Sequence, residues 1–384
     1  MTAPLVSRLP RVGTTIFTVM SALAQECGAL NLSQGFPDFA VPPALLQAVV
    51  QHLQAGHNQY APMTGVPRLR EAIAAKTLAA YGVAPDPVHE VTVTSGATEA
   101  LFCAIQAVLR AGDEAIVFDP CYDSYEPGIE LAGGRAVHVP LAGPDFRPDW
   151  QRFAGALSPR TRLVILNTPH NPTGSVWSAE DMQQLATLLR GRGIWLLSDE
   201  VYEHIVFDGR RHESVLLHPE LAARAFVVSS FGKTFHATGW KIGYCIAPAA
   251  LSAEFRKIHQ FVTFSTSTPM QHALADYLEA EAQHWQQLPA FYQRKRDLFC
   301  RLIEGSRFGC TPSAGTYFQL LDYSAISDER DVDLARRLTR EARLASIPVS
   351  VFSVAPDPAQ RLLRFCFAKD DATLEQAAAI IRRL

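Results

Sequence analysis

The sequence predicts an α/β protein in which a doubly wound parallel sheet is joined to a second, smaller α+β lobe. From residue 91 onward, short β-branched runs alternate with segments of helical periodicity, which is typical of parallel strands joined by crossover helices. The chain has 384 residues and 48% hydrophobic content, so it can bury a large core and is longer than most single domains. After residue 249 long helical segments replace the alternation, which indicates a change of architecture.

The first 90 residues predict an arm, a turn-rich loop and helices. Residues 1–20 carry prolines among mixed residues and are more typical of an arm that packs on another surface than of a core element. Residues 31–39 are rich in turn formers, and Gly35 leaves room for a ligand beside the backbone, although an ordinary connecting loop has the same composition. Helices are predicted at residues 21–28, 42–53 and 67–81.

Seven apolar runs predict the strands of the sheet. They lie at residues 91–94, 115–118, 136–139, 163–166, 194–197, 225–228 and 242–246. Polar clusters follow five of them, at residues 95–98, 119–122, 167–174 and 198–202 and at the turn that carries Lys233. Because ligands of such sheets bind at the carboxyl ends of the strands, these clusters predict one shared crevice.

The remainder of the chain predicts the second lobe. Helical periodicity covers residues 250–260, 269–280, 283–303, 332–342 and 374–384. Strands are predicted at residues 316–321 and 362–367 between those helices.

Composition excludes several classes of partner. The formal net charge is −3 and no basic stripe is present, which argues against nucleic acids and anionic membranes. The seven cysteines are scattered without a C-x-x-C pair, so neither a disulfide framework nor a zinc site is indicated, and no metal is predicted. No apolar run reaches membrane length and no signal-peptide core is present, so we expect a cytoplasmic protein.

Residues 229–244 (SSFGKTFHATGWKIGY) are the most informative segment. A buried strand delivers Lys233 onto a turn, where partial desolvation lowers the pKa of the amine and lets its neutral form attack an aldehyde to give a Schiff base. Lys241 and Ser230 are placed to bind a phosphate on the same molecule, and the combination indicates pyridoxal phosphate. The alternatives are a plain salt-bridge lysine and a P-loop, and the latter is rejected because Val227 stands where a P-loop requires glycine.

A second phosphate contact is predicted after the first strand. Ala97 and Thr98 open a helix there, so free backbone N–H groups and the helix dipole face whatever lies above them. An ordinary N-cap explains this segment equally well.

Four residues at the other strand ends fit the ring of that cofactor. Asp199 follows an apolar strand, where a carboxylate is costly unless it meets a positive charge, and a protonated pyridine nitrogen supplies one. Tyr202 and Asn171 are placed to hydrogen-bond the phenolate oxygen of the ring, and Tyr122 is placed to stack on its face. Taken alone, each of these four residues would more often have a purely structural role.

Two further features concern the substrate. Prolines bracket Asn171, and either X-Pro bond is a candidate for the cis isomer. Arg364 is a cation in an otherwise apolar strand and therefore needs an anion. A substrate carboxylate matches its fork geometry, and an internal Asp or Glu is the competing explanation.

These motifs together resemble the class I/II pyridoxal-phosphate aminotransferases of fold type I, from about residue 14 to residue 384. The resemblance to the kynurenine/glutamine transaminase branch rests on residues 34–39 (QGFPDF), 58–60 (NQY), 167–172 (NTPHNP), 198–202 (SDEVY) and 364–367 (RFCF). Residues 60–66 (YAPMTGV) most resemble the bacterial methionine aminotransferases of that branch.

The resemblance implies a fold type I architecture and specific residue roles. A seven-stranded, mostly parallel sheet would form a large cofactor domain (42–282), with a small α+β domain (21–41 and 283–384) and an arm (1–20). The implied roles are Lys233 as Schiff-base lysine and proton shuttle, Asp199 at the pyridine nitrogen, Tyr202 and Asn171 at the phenolate oxygen, Ala97, Thr98, Ser230 and Lys241 at the phosphate, and Gly35, Asn171 and Arg364 at the substrate carboxylate.

The resemblance also implies a homodimer with shared active sites, in which Tyr60 reaches the phosphate of the neighbouring subunit. Two departures weaken a dicarboxylate preference: Lys241 replaces the arginine of the aspartate-aminotransferase branch, and Gly232 stands where many relatives have serine. A side-chain pocket of Ile16, Phe17, Phe36, Phe264 and the partner's Tyr60 is expected.

The predicted activity is transfer of an amino group between a large neutral amino acid, methionine or aromatic, and a 2-oxo acid. One alternative is a carbon-sulfur β-lyase with the same cofactor and fold. Another is a regulatory effector-binding module, which the absence of a helix-turn-helix pattern before the fold disfavours.

Overall fold

In the computed structural model residues 5–384 are described, and the first four residues of the predicted arm lie outside them. The strands are β1 (Leu30–Asn31), β2 (Val91–Thr94), β3 (Glu114–Asp119), β4 (Arg135–Pro140), β5 (Thr161–Asn167), β6 (Trp195–Asp199), β7 (Ala225–Ser230), β8 (Gly243–Ile246), β9 (Gly309–Cys310), β10 (Phe318–Asp322), β11 (Leu344–Ala345), β12 (Ile347–Pro348) and β13 (Leu362–Cys366). The helices are α1 (Ile16–Cys27), α2 (Pro43–Gln54), α3 (Pro67–Tyr81), α4 (Gly96–Val108), α5 (Tyr125–Leu131), α6 (Trp150–Ala156), α7 (Ala179–Leu189), α8 (Pro219–Ala222), α9 (Phe231–Thr234), α10 (Ala249–Val262), α11 (Thr268–Ala280), α12 (Gln283–Leu302), α13 (Asp331–Arg337) and α14 (Asp371–Ile381).

All seven predicted strands form one sheet, in the order β2-β8-β7-β6-β5-β3-β4. Strands β3 to β7 pair in parallel, and β8 is antiparallel to both β2 and β7. The central strands are buried along most of their length, because crossover helices cover both faces of a parallel sheet. The predicted α/β class with a mostly parallel seven-stranded sheet is therefore confirmed.

Helices pack on each face of this sheet. On one face α4, α5 and α10 cover a cluster that includes Leu101 and Ile165. On the other face α6, through its buried Phe153, and α7 cover Val164 and Leu196. Val164 and Ile165 are neighbours on one strand and enter opposite clusters, as the two-residue period of a strand requires.

A second, smaller sheet with the order β12-β13-β10-β9 is antiparallel and packs against α1, α12, α13 and α14. The core of this lobe joins Met20 and Leu32 from the N-terminal part to Phe365 from the C-terminal part. Tyr202 and Phe207 from the large sheet segment also belong to this core, so the two lobes are in extensive contact. The exact domain bounds given above stay a prediction.

Some element bounds differ from the sequence-based expectation. Helix α1 begins at Ile16 and not at residue 21, because the side chain of Thr15 accepts a hydrogen bond from the backbone of Thr18 and Met20 is fully buried on its inner face. Strand β10 begins two residues later than predicted, since Thr316 has a left-handed φ of 63°. The predicted helix at 332–342 ends as a π-helix at Leu338–Ala342. Within residues 5–384, no helix combines the length and apolar character needed to cross a membrane.

Candidate active site

A cavity of about 290 Å³ opens at the carboxyl ends of β5, β6 and β7, where the sequence predicts a shared crevice. Ten of the predicted site residues line it: Gly35, Ala97, Thr98, Tyr122, Asn171, Asp199, Tyr202, Ser230, Lys233 and Lys241. The fold therefore brings together residues that lie more than 200 positions apart in sequence.

Lys233 lies on the short helix α9, directly after β7. Its Nζ donates hydrogen bonds to the carbonyl of Gly35 at 3.2 Å and to the hydroxyl of Tyr317 at 2.9 Å. The pKa of Lys233 is lowered from 10.5 to about 8, chiefly by desolvation; the nearby Arg364 cation contributes to the lowering and the Asp199 carboxylate opposes it. Both partners of the amine are neutral oxygens, and its neutral form is accessible near physiological pH, as a nucleophile requires.

Asp199 ends β6 and is only 4% exposed. Its carboxylate accepts hydrogen bonds from the Tyr125 hydroxyl at 2.6 Å and from the backbone N–H of Val201 at 3.4 Å. Burial raises the pKa of Asp199 to about 6, although the Tyr125 hydrogen bond opposes the rise. A buried carboxylate that faces a cavity is complementary to a ligand cation such as a pyridinium nitrogen.

The part of the cavity beside the start of α4 has the features of a phosphate site. Helix α4 begins there, and a Cβ added to Gly96 would meet Lys241 Cε at 3.1 Å, so the backbone and the lysine lie close together. The Nζ of Lys241 lies 3.5 Å from Thr98 Oγ1. Ser230 lines the same space. Helix N-terminal N–H groups, a lysine and two hydroxyls form a set suited to a phosphate.

Arg364 lies on β13 with none of its surface exposed. Its Nη1 donates to Asn171 Oδ1 at 2.7 Å and its Nη2 donates to the carbonyl of Ser33 at 2.9 Å. Its Nε has no hydrogen-bond partner among residues 5–384. Burial lowers the pKa of Arg364 to about 10. Both acceptors are neutral. The carboxylate of Asp123 is near enough to act on the guanidinium through its charge, but no hydrogen bond within residues 5–384 joins the two, so an incoming carboxylate would satisfy the guanidinium.

The remaining ring contacts surround the same space. Tyr202 is buried and its ring meets that of Tyr317 edge to face at 5.1 Å. Tyr122 packs against Tyr125 at 5.7 Å, and desolvation raises the pKa of its hydroxyl to about 12. The bonds preceding Pro169 and Pro172 are both cis, which confirms the expectation that prolines around Asn171 include a cis isomer.

A larger cavity of about 730 Å³ adjoins this site and is lined by Ile16, Phe17, Tyr122 and Phe352. Phe17 lies 5.8 Å from Phe352 and its ring is 5.2 Å from the Arg364 guanidinium. The structure therefore places part of the expected side-chain pocket beside the expected carboxylate site.

The other predicted pocket residues are distributed differently. Phe36 lines the smaller cavity. Tyr60 is 83% exposed and packs on the half-exposed Phe264 at 5.4 Å, and neither lines the two cavities within one chain. Their role at an active site requires a neighbouring subunit and stays a prediction.

Sequence reasoning missed Tyr125 and Tyr317, which hold the Asp199 carboxylate and the Lys233 amine. Tyr125 follows Tyr122 by one turn at the start of α5, and that spacing is the only sequence signal for it. Tyr317 comes from the second lobe, so only the tertiary fold places it beside Lys233.

The geometry fits one cofactor. A desolvated lysine, a buried carboxylate and a set of groups suited to a phosphate line one crevice at the carboxyl edge of the large sheet. Fold and site together define a pyridoxal-phosphate-dependent enzyme that acts on amino acids.

Comparison with known proteins narrows this class. The family model for aminotransferase class I and II matches residues 28–381, and the chain belongs to that family. It is 56% identical to the methionine aminotransferase of Escherichia coli over 98% of both chains. It is also 34% identical to human kynurenine–oxoglutarate transaminase 1, covering 94% of this chain and 93% of that one.

Solved structures of aminotransferases superpose closely on this chain. The crystal structure of an Escherichia coli protein identified as having a methionine aminotransferase function superposes with a TM-score of 0.97 at 55% identity, over 99% of this chain and 100% of that one. A single mutant of the aspartate aminotransferase of Thermus thermophilus gives a TM-score of 0.90 at 31% identity over 100% of both chains. The protein is thus a pyridoxal-phosphate-dependent aminotransferase, and its substrates are amino acids and 2-oxo acids.

Proposed function

We propose that this aminotransferase takes large neutral amino acids as donors, methionine and aromatic amino acids among them, and passes the amino group to a 2-oxo acid. The observation that carries the proposal is the larger cavity, whose walls beside Arg364 are aromatic. Within residues 5–384 the one arginine that lines it is Arg11, which is paired with Glu126 at 3.1 Å and with Glu130. The likeness to the Escherichia coli methionine aminotransferase supports the same donor.

Electrostatics in the larger cavity disfavour an acidic donor. Asp123, Glu126 and Glu130 line the cavity, and two of these carboxylates already occupy Arg11. An acidic side chain would therefore be desolvated beside like charges, at a cost of several kcal/mol. The thioether of methionine would instead gain about 1.5–3 kcal/mol by burying its stem against Phe17 and Phe352.

The residues of the smaller cavity have defined roles in this proposal. Bound pyridoxal phosphate supplies an electron-withdrawing ring that stabilises the carbanion left when the α-proton of the amino acid is removed. Lys233 Nζ, with its lowered pKa, holds the cofactor and then accepts and returns that proton. Asp199, oriented by Tyr125, keeps the ring nitrogen cationic.

Other residues position the reactants. Arg364 offers its free N–H groups to the α-carboxylate while Asn171 and Ser33 fix the plane of the guanidinium. Lys241, Thr98, Ala97 and Ser230 would hold the phosphate. Tyr202 and Asn171 would hydrogen-bond the ring oxygen, Tyr122 would cover the ring face, and Gly35 would contact the substrate.

A homodimer with shared active sites belongs to the same proposal. Tyr60 and Phe261 are 83% and 86% exposed, and with the half-exposed Phe264 they present aromatic surface to solvent in one chain. Aromatic surface of this kind is typical of an interface. A neighbouring subunit that covers it would receive Tyr60 at its phosphate, as the resemblance implies. The cytoplasmic location also stays a prediction.

Steady-state kinetics with methionine and aspartate test the proposed specificity. We expect kcat/KM for methionine to exceed that for aspartate by a hundredfold or more, since each 1.4 kcal/mol is about tenfold. Phe17→Ala should lower kcat/KM for methionine about 5- to 30-fold, through lost packing of about 1–2 kcal/mol, and affect alanine less. Trp195→Ala, at the far end of β6, is the matched control and should change neither.

Equal kcat/KM values for aspartate and methionine would refute the specificity. Release of pyruvate and ammonia from cysteine conjugates, without transfer of the amino group, would instead support the β-lyase alternative.

A further inference from the structure

Three histidines form a cluster away from the active-site cavities. His52 lies on α2, His57 follows in the loop, and His272 lies on α11. Each offers one ring nitrogen, and these three nitrogens lie within 4.8 Å of one another. The Nδ1 atoms of His52 and His57 are 2.9 Å apart. The rings pack together with centroid separations of 5.0, 5.1 and 4.2 Å.

We propose that His52, His57 and His272 bind a divalent transition-metal ion of the Zn²⁺ class. Neutral imidazole is a preferred ligand of Zn²⁺, and three protein ligands with a further open position are a common arrangement. At a Zn–N distance of about 2.0–2.1 Å, tetrahedral ligand nitrogens lie roughly 3.3 Å apart, so the cluster needs only side-chain adjustments to reach that geometry. The three rings are half-buried, which leaves a path for the ion.

The charged groups beside the cluster suit a cation. Arg68 lies nearby, and its guanidinium is paired with the carboxylates of both Asp276 and Glu279, so these three side chains together carry one net negative charge. A metal ion that coordinates the ring nitrogens satisfies them without adding protons.

The cluster also has the outer contact that metal-binding histidines usually have. Nε2 of His52 is hydrogen-bonded to Asp276 Oδ2 at 2.7 Å, which leaves its Nδ1 directed at His57. A carboxylate in this position fixes the ring and increases the basicity of the ligating nitrogen. Asp276 is itself fixed by Arg68.

Two other groups of potential ligands are committed to internal contacts. His259 uses Nδ1 on Glu99 and Nε2 on the carbonyl of Met63, so neither nitrogen is free. Asp119 accepts from His138 and from the backbone of Val354, and burial raises the pKa of the neighbouring Cys121 thiol. In the histidine cluster the Nδ1 atoms of His52 and His57 are hydrogen-bonded to each other, so a metal ion would replace that one bond to reach both nitrogens.

A metal ion here would cross-link three segments of the chain. It would join α2, the loop after it and α11, and Thr268 of α11 already donates to the carbonyl of Gln59 at 2.6 Å. Tyr60 follows directly in that loop. Metal binding should therefore raise the thermal stability of the segment that carries Tyr60.

The test uses the holoenzyme, dialysed first against a chelator and then against metal-free buffer. Zn²⁺ is titrated by calorimetry, and Co²⁺ is titrated as a spectroscopic probe of tetrahedral nitrogen coordination. We expect one Zn²⁺ per chain and a Tm raised by at least about 2 °C when free Zn²⁺ is a hundredfold above Kd. His272→Gln and His57→Gln, one on a helix and one in a loop, should each weaken Zn²⁺ binding by a hundredfold or more.

Asp276→Asn keeps all three ligands and should weaken Zn²⁺ binding 10- to 100-fold. His89→Gln is the matched control, because His89 is an exposed histidine paired with Asp86 far from the cluster, and it should bind Zn²⁺ like the wild type. No Zn²⁺ binding by the wild type would overturn the proposal. Unchanged binding in both His272→Gln and His57→Gln would overturn it as well.

Discussion

Replacement of Arg364 by lysine provides a direct test of the substrate site. The guanidinium is fully buried, and two of its five N–H groups are used by Asn171 and the carbonyl of Ser33. The unpaired Nε and the second hydrogen of each terminal nitrogen are left for a carboxylate. Lysine retains the positive charge but presents it at a point, so it cannot make the paired contact.

The size of the effect follows from this geometry. A hydrogen bond to a charged group contributes roughly 1.5–3 kcal/mol, and Arg364→Lys removes one such bond to the substrate while retaining the Coulomb attraction. This corresponds to a loss of about 10- to 150-fold in kcat/KM. Because the carboxylate is bound before and during proton transfer alike, we expect most of the loss in KM and only a small change in kcat.

The assay is the transamination of methionine at saturating cofactor, with bound cofactor measured separately by its absorbance. Arg361→Lys, on the same segment just before β13, is the matched control and should stay within twofold of the wild type. An amine without an α-carboxylate should react slowly with the wild type and no more slowly with Arg364→Lys. This role of Arg364 is refuted if Arg364→Lys keeps the wild-type KM for methionine. It is also refuted if the substitution slows the reaction of the amine by the same factor as that of methionine, because Arg364 then does not bind the carboxylate.

Three further predictions concern the cofactor side. Asp199→Ala should lose at least about a hundredfold more activity than Asp199→Glu, because only a carboxylate balances a buried ring cation; equal losses would make Asp199 merely structural. The rate at which cofactor-stripped enzyme captures pyridoxal phosphate should rise about tenfold per pH unit below pH 8 and then level off. The reason is that the pKa of Lys233 is lowered from 10.5 to about 8 and only the neutral amine attacks. A capture rate that continues to rise to pH 10 contradicts the lowered pKa. Mixing inactive Tyr60→Ala and Lys233→Ala chains should restore partial activity, since one site of each hybrid dimer carries neither lesion; full activity in a dilute monomer excludes shared sites.

The sheet was predictable because its strands are short β-branched runs that end in polar clusters. The run at 91–94 was predicted with the bounds that the structure has, and others, such as β3, extend by one residue at each end. Strands β1, β9, β11 and β12 were missed, since each has two residues and no periodic pattern extends over so short a length. Helix α1 was predicted too late because its first turn was interpreted as part of a proline-containing arm.

Site residues at strand ends were predictable for the same reason, and those from elsewhere were not. Asp199 follows an apolar strand and is conspicuous in the sequence, whereas the hydroxyl of Tyr125 reaches it only through the packing of α5. The histidine cluster joins residues more than 200 positions apart, so ligand spacing along the chain gives no indication of it. Tyr60 is different again, because its predicted place depends on a second subunit.

The order of the lobes along the chain has a consequence for biosynthesis. Every strand of the large sheet has been made once Ile246 has left the ribosome. Tyr202, Ile205 and Phe207 nevertheless belong to the core of the second lobe, which is complete only when Tyr292 and Phe365 have been added. At about 5–20 residues per second, this leaves the apolar side chains uncovered on the nascent chain for on the order of ten seconds. During that interval the growing protein is a natural client for chaperones, and products terminated before β13 should aggregate even though every strand of their large sheet is present.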